Sequence, residues 1–462
     1  MVKLKLHQLL PINFMKSHRG LLLFHSTGSG KTLTSLFGMY QFPNDIIIIG
    51  PKSSKKAFTD NIKKAKLNPS RMTFYSFKKI KNMLDVDNDL FKDKSVIVDE
   101  AHNLRNETRN NLLVISALKL AHKVMLLTAT PVVNYLNDLS VLVNIAKNDD
   151  VLPTNRGLFN GIYYDENYFI ISNEELLKEK LRNCISYHKQ IGDDENYPTS
   201  TTEKINIVMN TKQLEEYLYY VNKIILKDKQ AINPYNIDFS LLDKRKRNFF
   251  LMATRQLSNT VGENGTSPKI EAIFNKVKKG PYPIVVYSNF LKNGVYALAL
   301  LLEKNNITYK SITGTTHEDE VNAIVNNYNN GQFKVLLLTS AGSESLDLKN
   351  TRQLHIMEPH WTTAKIDQVI GRVIRYKSHE QLPKKSRHVA IYRYISIFPK
   401  NILNQSADEY LMEISDKKYE IFNEFIGLIK KVSIERNTVG GHRNEYLRYK
   451  HKYLKYKLAS TN

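Results

Sequence analysis

The chain has 462 residues, 42% of them hydrophobic, which is enough for more than one domain with a sizeable buried core. A single cysteine, Cys184, excludes an intrachain disulfide and a thiolate metal site, and no apolar run reaches the ~20 residues of a membrane span. The formal net charge of +22 favours a polyanionic partner, with a Lys-, Asn- and Tyr-rich proteome as the alternative source of the charge. The N-terminal apolar stretch is too short for a secretory signal, so the expected setting is a soluble protein in a reducing compartment.

Short apolar runs at 20–24, 46–49, 95–98 and 123–127 alternate with helix-like stretches, as in a parallel sheet buried on both faces. Ligands of such sheets bind beyond the carboxyl ends of the strands. Three polar motifs stand at those ends: a Gly-rich loop after Phe24, Asp99-Glu100-Ala101-His102 after Val98, and Thr128-Ala129-Thr130 after Leu127. Residues 1–150 are therefore expected to form a first α/β lobe. Residues 151–265 read as a mainly helical insertion with a strand at 204–209. A basic cluster, Lys244-Arg245-Lys246-Arg247, precedes its last apolar helical pattern, and a turn-prone stretch at 262–268 ends it.

Residues 266–400 return to α/β alternation, with strands at 284–287, 308–312, 335–338, 353–357 and 389–394, but without a phosphate loop. One such loop for two lobes is expected if the second lobe completes the site of the first. Residues 401–462 are expected to form a basic helical tail. In it, Tyr446, Tyr449, Tyr453 and Tyr456 share one helical face among lysines and arginines, a face suited to stacking on nucleic acid or to binding a partner.

In His25-Ser26-Thr27-Gly28-Ser29-Gly30-Lys31-Thr32 the glycines let backbone N–H groups wrap phosphate oxygens. Lys31 is expected to reach the β- and γ-phosphates and the Thr32 hydroxyl to ligate Mg²⁺. His25 stands where such a loop usually opens with Gly. Asp99 is expected to hold the metal and Glu100 to orient or deprotonate the attacking water; the bland alternative is an acidic helix cap. His102 is expected to relay between that water and Thr128 or Thr130, and Gln8 to read adenine through its amide.

Far along the chain, Gln368-Val369-Ile370-Gly371-Arg372-Val373-Ile374-Arg375 carries two arginines three residues apart, which share a face if the segment is helical. Gln368, Arg372 and Arg375 are expected to complete the phosphate site from the second lobe, linking hydrolysis to the closing of a cleft. Lys52 and Ser53, Ser76 and Ser340 are candidate nucleic-acid contacts, since they offer N–H groups and hydroxyls to phosphates.

This ordered set of motifs, together with residues 340–348, resembles the superfamily 2 helicases. Leu127-Thr128-Ala129-Thr130-Pro131-Val132-Val133-Asn134, continuing into Asn137-Asp138-Leu139, is similar to the chromatin-remodeller branch. Glu358-Pro359-His360-Trp361 resembles the Asp-Pro-x-Trp pattern of that branch, with Glu for Asp. Residues 372–379 are similar to the poxvirus-type nucleoside triphosphatase I and early transcription factor ATPases of large DNA viruses.

The resemblance covers residues 1–150 and 265–400. It implies two RecA-like P-loop lobes, ATP and Mg²⁺ as cofactors, and a nucleic-acid-dependent ATPase that translocates on duplex DNA in preference to RNA. It further implies viral transcription with RNA polymerase as a partner, and host cytoplasm or virion as the setting. Two alternatives stand beside it: an RNA helicase, and a transcription factor that uses ATP as a conformational switch. The intact Glu100, Arg372 and Arg375 favour turnover.

Overall fold

The computed structural model describes residues 4–106, 108–165, 170–189, 196–227, 244–261, 266–340, 346–361, 363–400 and 405–436. The four tail tyrosines, residues 341–345 of the second-lobe motif and the turn at 262–265 lie outside the described residues, as do the side chains of the basic cluster at 244–247. Among the described residues no helix is long and apolar enough to cross a membrane. The chain divides into two compact units, Met1–Gln190 with Glu420–Asn462, and Ile191–Tyr419.

The first unit contains β1 (Gly20–His25), β2 (Ile46–Gly50), β3 (Met72–Ser76), β4 (Ser95–Asp99), β5 (Lys123–Thr128), a small hairpin of β6 (Tyr164–Asp165) and β7 (Ile170–Ile171), and β8 (Ile185–His188). Six of these form a parallel sheet in the order β3-β2-β4-β5-β1-β8. Alternate residues serve opposite faces, as a pleated strand requires. Leu22, Ile47, Val96 and Leu126 enter one core, whereas Leu21, Ile48, Ile97 and Met125 enter the other. Residues of the long helix Ala407–Val432 contribute to the first of these cores, Phe425 and Ile429 being fully buried.

The second unit contains β9 (Thr199–Val208), β10 (Ile284–Ser288), β11 (Tyr309–Ile312), β12 (Val335–Thr339), β13 (Gln353–Ile356) and β14 (His388–Ile397). They form a second parallel sheet, β11-β12-β10-β13-β14-β9, again with a core on each face. The stretch 151–265, expected as an insertion, thus supplies a strand to each sheet, β8 to the first and β9 to the second. Its remainder is mainly helical: Arg156–Tyr163, Glu174–Leu181, Thr211–Lys227 and Lys244–Asn259.

A buried ion pair fixes the base of the second unit. Lys269 Nζ donates to Asp408 Oδ2 at 2.6 Å and to Asn259 Oδ1 at 3.0 Å, with both charged side chains fully enclosed. The other amide end of Asn259 donates to Glu358 (2.9 Å), which also accepts from Ser288 and Asn289.

Candidate functional site

In the first sheet β4, β5 and β1 are neighbours, so the Gly-rich loop, Asp99-Glu100 and Thr128 emerge side by side at the carboxyl edge. Register places Phe24 opposite Thr128 and Leu127 opposite Asp99. Three motifs separated by up to a hundred residues therefore share one edge.

The loop leaves β1 at His25 and enters the helix Lys31–Tyr40 through Gly30. Gly28 and Gly30 have φ of +77° and +87°, conformations that glycine adopts without Cβ strain. No side chain caps this helix, which leaves its first N–H groups for an anion. The Ser29 hydroxyl is buried and has no hydrogen-bond partner among the described residues, an orphaned polar atom in the same cradle. Lys31 Nζ lies across the loop and donates to His25 O at 2.8 Å and Ser26 O at 3.1 Å. Uncapped N–H groups, an orphaned hydroxyl and an adjacent ammonium fit a phosphate chain.

Gln8 reaches the loop from the helix Leu6–Phe14. Its Nε2 donates to Gly30 O at 3.3 Å, while its Oε1 accepts from Lys5 N at 2.8 Å. Gln8 thus makes a loop-clamping contact, a role distinct from the adenine recognition its position suggests. His7 adds another, its Nε2 donating to Ser29 O at 2.9 Å with the ring stacked on His188 at 3.8 Å.

Asp99 ends β4 and Glu100 follows in the left-handed region at φ +50°. Burial, and then the neighbouring Glu100 charge, push the Asp99 carboxyl up to about 6, against a hydrogen bond from Ser54 and the charge of Lys31. A half-buried carboxylate with a raised pKa is a ready acceptor for a cation. Thr32, on the first turn of the neighbouring helix, offers the hydroxyl expected beside it. Mg²⁺ keeps several waters and commonly takes only one or two protein ligands besides phosphate oxygens, so Thr32 and Asp99 are a sufficient pair.

His102 stands between the expected partners: its Nδ1 is 3.4 Å from a Glu100 carboxylate oxygen and 3.0 Å from Thr128 Oγ1. Thr128 Oγ1 also accepts the Thr130 N–H at 3.0 Å. Beyond it, Asp138 Oδ2 gathers the N–H groups of Val133, Asn134 and Tyr135 at 2.9, 2.7 and 3.3 Å. This gives a physical reason for the acidic residue that closes the Thr-Ala-Thr-Pro segment.

In the second unit, Gln368 and Arg372 lie on the helix Thr363–Val373, both half-buried. Here one expectation needs correction. The helix stops at Val373, so Arg375 does not share a helical face with Arg372. The chain turns away because the Ser378 hydroxyl takes the Arg375 N–H (3.3 Å) and Lys377 enters the left-handed region. The Arg375 guanidinium donates to Leu346 O at 3.1 Å and Asp347 Oδ1 at 3.2 Å. Both arginines are half-buried, not exposed as a surface helix face would be.

Among the candidate nucleic-acid residues, Lys52 is exposed and Ser53 half-buried just beyond β2. Ser76 caps the helix Phe77–Leu84 by accepting from Lys79 N at 3.3 Å. Ser340 follows β12 and hydrogen-bonds Tyr287.

Comparison with known proteins adds two domain families. The one described as SNF2-related domain matches residues 44–263, and the one described as helicase conserved C-terminal domain matches 267–377. An Acanthamoeba polyphaga mimivirus protein named as an ATP-dependent RNA helicase is 57% identical, over 94% of this chain and 98% of that protein. A termination factor NPH-I homolog of African swine fever virus is 23% identical, over 90% of this chain and 76% of its own length. The Sulfolobus solfataricus SWI2/SNF2 ATPase core in complex with dsDNA aligns over 86% of this chain and 88% of that one, with 17% identity and a TM-score of 0.38.

Proposed function

This chain belongs to the SNF2-related family of ATP-dependent helicases, and we propose that it is a motor that moves along duplex DNA during viral transcription. One observation carries the reading: the loop, the Asp99-Glu100 pair and Thr128 leave three adjacent strands at one sheet edge.

Backbone N–H groups of residues 27–30 bind the phosphates, the Ser26 N–H being held by His188 O, and Lys31 turns from the loop carbonyls to the β- and γ-phosphates. Mg²⁺, held by Thr32 and Asp99, would neutralise charge on the phosphate oxygens. Glu100 takes a proton from the attacking water, and His102, braced on Thr128, orients that carboxylate. Gln368, Arg372 and Arg375 of the second unit stabilise charge on the transferred phosphoryl group. Arg375 must first leave Asp347 to do so. Adenine recognition is assigned to the second amide hydrogen of Gln8. Lys52, Ser53, Ser76 and Ser340 are assigned to the nucleic-acid backbone.

The resemblance of residues 127–139 and 358–361 to the chromatin-remodeller branch supports duplex DNA as the track. The name of the African swine fever virus relative, a termination factor, supports a place in transcription, and RNA polymerase is the partner that the resemblance to viral transcription ATPases implies. A second reading, RNA as the track, is favoured by the name of the mimivirus relative. ATP hydrolysis measured with duplex DNA, single-stranded DNA and single-stranded RNA separates them. The largest stimulation is expected from duplex DNA; stimulation by RNA alone would move the track to RNA, and none from any of the three would overturn the motor.

A further inference from the structure

A chain of polar groups runs into the Gly-rich loop from a segment that lies beyond both matched domain families. Strand β8 is the edge neighbour of β1. Residues 433–436 return to its outer side, where the Ile434 N–H donates to Ile185 O at 3.0 Å. There the Glu435 carboxylate takes the Ser186 hydroxyl on one oxygen and the Tyr187 N–H on the other, the latter at 2.9 Å. With its proton committed to Glu435, the Ser186 oxygen accepts the Nε2–H of His25 at 2.7 Å. The carbonyl of that same His25 receives Lys31 Nζ.

Ser186 and His25 are fully buried, and His25 Nδ1 has no hydrogen-bond partner among the described residues. Burying such groups costs free energy unless they are hydrogen-bonded, and here the bonds they make also fix an orientation that can be used. The use visible here is at the loop, where the His25 ring fixes the peptide that holds the ammonium. Burial holds His25 well below the ordinary imidazole range, in keeping with a neutral ring that donates from Nε2.

We propose that Glu435 is a positioning residue for nucleotide turnover, acting through Ser186 and His25 on the placement of Lys31. The C-terminal segment is then part of the ATP-binding lobe, and its docking governs the rate of hydrolysis. This rests on the reading that Lys31 serves the transferred phosphate.

The test uses the full chain and the variants Glu435→Ala, Glu435→Gln, Ser186→Ala and the Glu435→Ala/Ser186→Ala double, with Lys31→Ala as reference. Nucleic-acid-stimulated kcat and KM for ATP are measured beside thermal melting. Glu435→Ala and Ser186→Ala are expected to lower kcat by about ten- to a hundred-fold, the scale of a misplacement of about 1 Å. The double variant should be no slower than the slower single, because both lie on one path. Glu435→Gln should keep more activity than Glu435→Ala, its amide oxygen still accepting from Ser186.

Wild-type kcat in Ser186→Ala and Glu435→Ala, or losses that multiply in the double, would overturn the relay while an inactive Lys31→Ala left the ATP site intact. If Glu435→Ala does not fold, Ser186→Ala decides, since it removes one hydroxyl and leaves Glu435 paired with the Tyr187 N–H. A Lys31→Ala variant as active as wild type would instead overturn the reading beneath the relay, and the relay with it.

Discussion

Gly30→Ala is the substitution whose cost is best worked from the geometry of the loop. Gly30 sits at φ +87°, where an L-residue loses roughly 1–2 kcal/mol. An added Cβ would also come within 3.0 Å of Gln8 Nε2. Gln8 cannot swing aside freely, because it is buried and its amide bridges Gly30 O and Lys5 N. Moving it gives up both hydrogen bonds, about 0.5–1.5 kcal/mol each. Together these raise the binding-competent loop by about 2–5 kcal/mol, so nucleotide affinity should fall by about thirty-fold or more.

Gln8→Ala removes the obstruction but not the backbone strain. It also removes both hydrogen bonds and the adenine contact assigned to Gln8, so Gly30→Ala/Gln8→Ala should bind no better than Gly30→Ala alone. Titration with a fluorescent ATP analogue reads all three variants. A Gly30→Ala affinity within two-fold of wild type, against the expected fall of about thirty-fold or more, or a double variant that recovers wild-type affinity, would refute the reasoning.

Glu100→Gln should bind ATP normally and fail to turn it over, and near wild-type hydrolysis would remove Glu100 from the role of base. Asp347→Asn should raise unstimulated ATPase by no more than about five-fold, because a pair with Asp347 this exposed restrains Arg375 by at most about 1 kcal/mol. A large loss would instead place Asp347 in the turnover step. Lys269→Met should destabilise the second unit by about 3–5 kcal/mol by leaving Asp408 buried and unpaired, and Lys269→Met/Asp408→Leu should recover most of it. The single tryptophan, Trp361, lies in that unit and reports its unfolding by fluorescence; equal midpoints for the two variants would contradict the ion-pair account. Log affinity for duplex DNA should fall against log salt with a slope near −0.9 per phosphate contact, and a flat response would mean that the +22 charge is not used on the track.

The buried strands were legible because a strand enclosed on both faces reads as an unbroken apolar run, as in Leu21–Leu22–Leu23–Phe24 or Ile46–Ile47–Ile48–Ile49. The nucleotide motifs were legible because they sit where those runs end. Edge strands were harder. Met72–Ser76 is only partly buried, and Ile185–His188 carries Ser and His; only pairing with β1 makes the latter a strand. Contacts across long sequence separations leave no local pattern at all. Gln8 on Gly30, Glu435 on Ser186 and Asp347 on Arg375 belong to this kind. The end of the arginine helix escaped for a related reason: the turn is made by the Ser378 hydroxyl, and a three-residue spacing cannot show that it stops at Val373.

The central claim is that the first unit binds ATP and the arginines of the second make it react. The most direct test compares Arg372→Ala/Arg375→Ala with wild type in fluorescent ATP-analogue binding and in nucleic-acid-stimulated hydrolysis, with melting temperature as the check on folding. The account predicts affinity within a few-fold of wild type and turnover lower by about 10³ or more, with stimulation by nucleic acid lost. Stimulated turnover at the wild-type rate in that folded variant would contradict it.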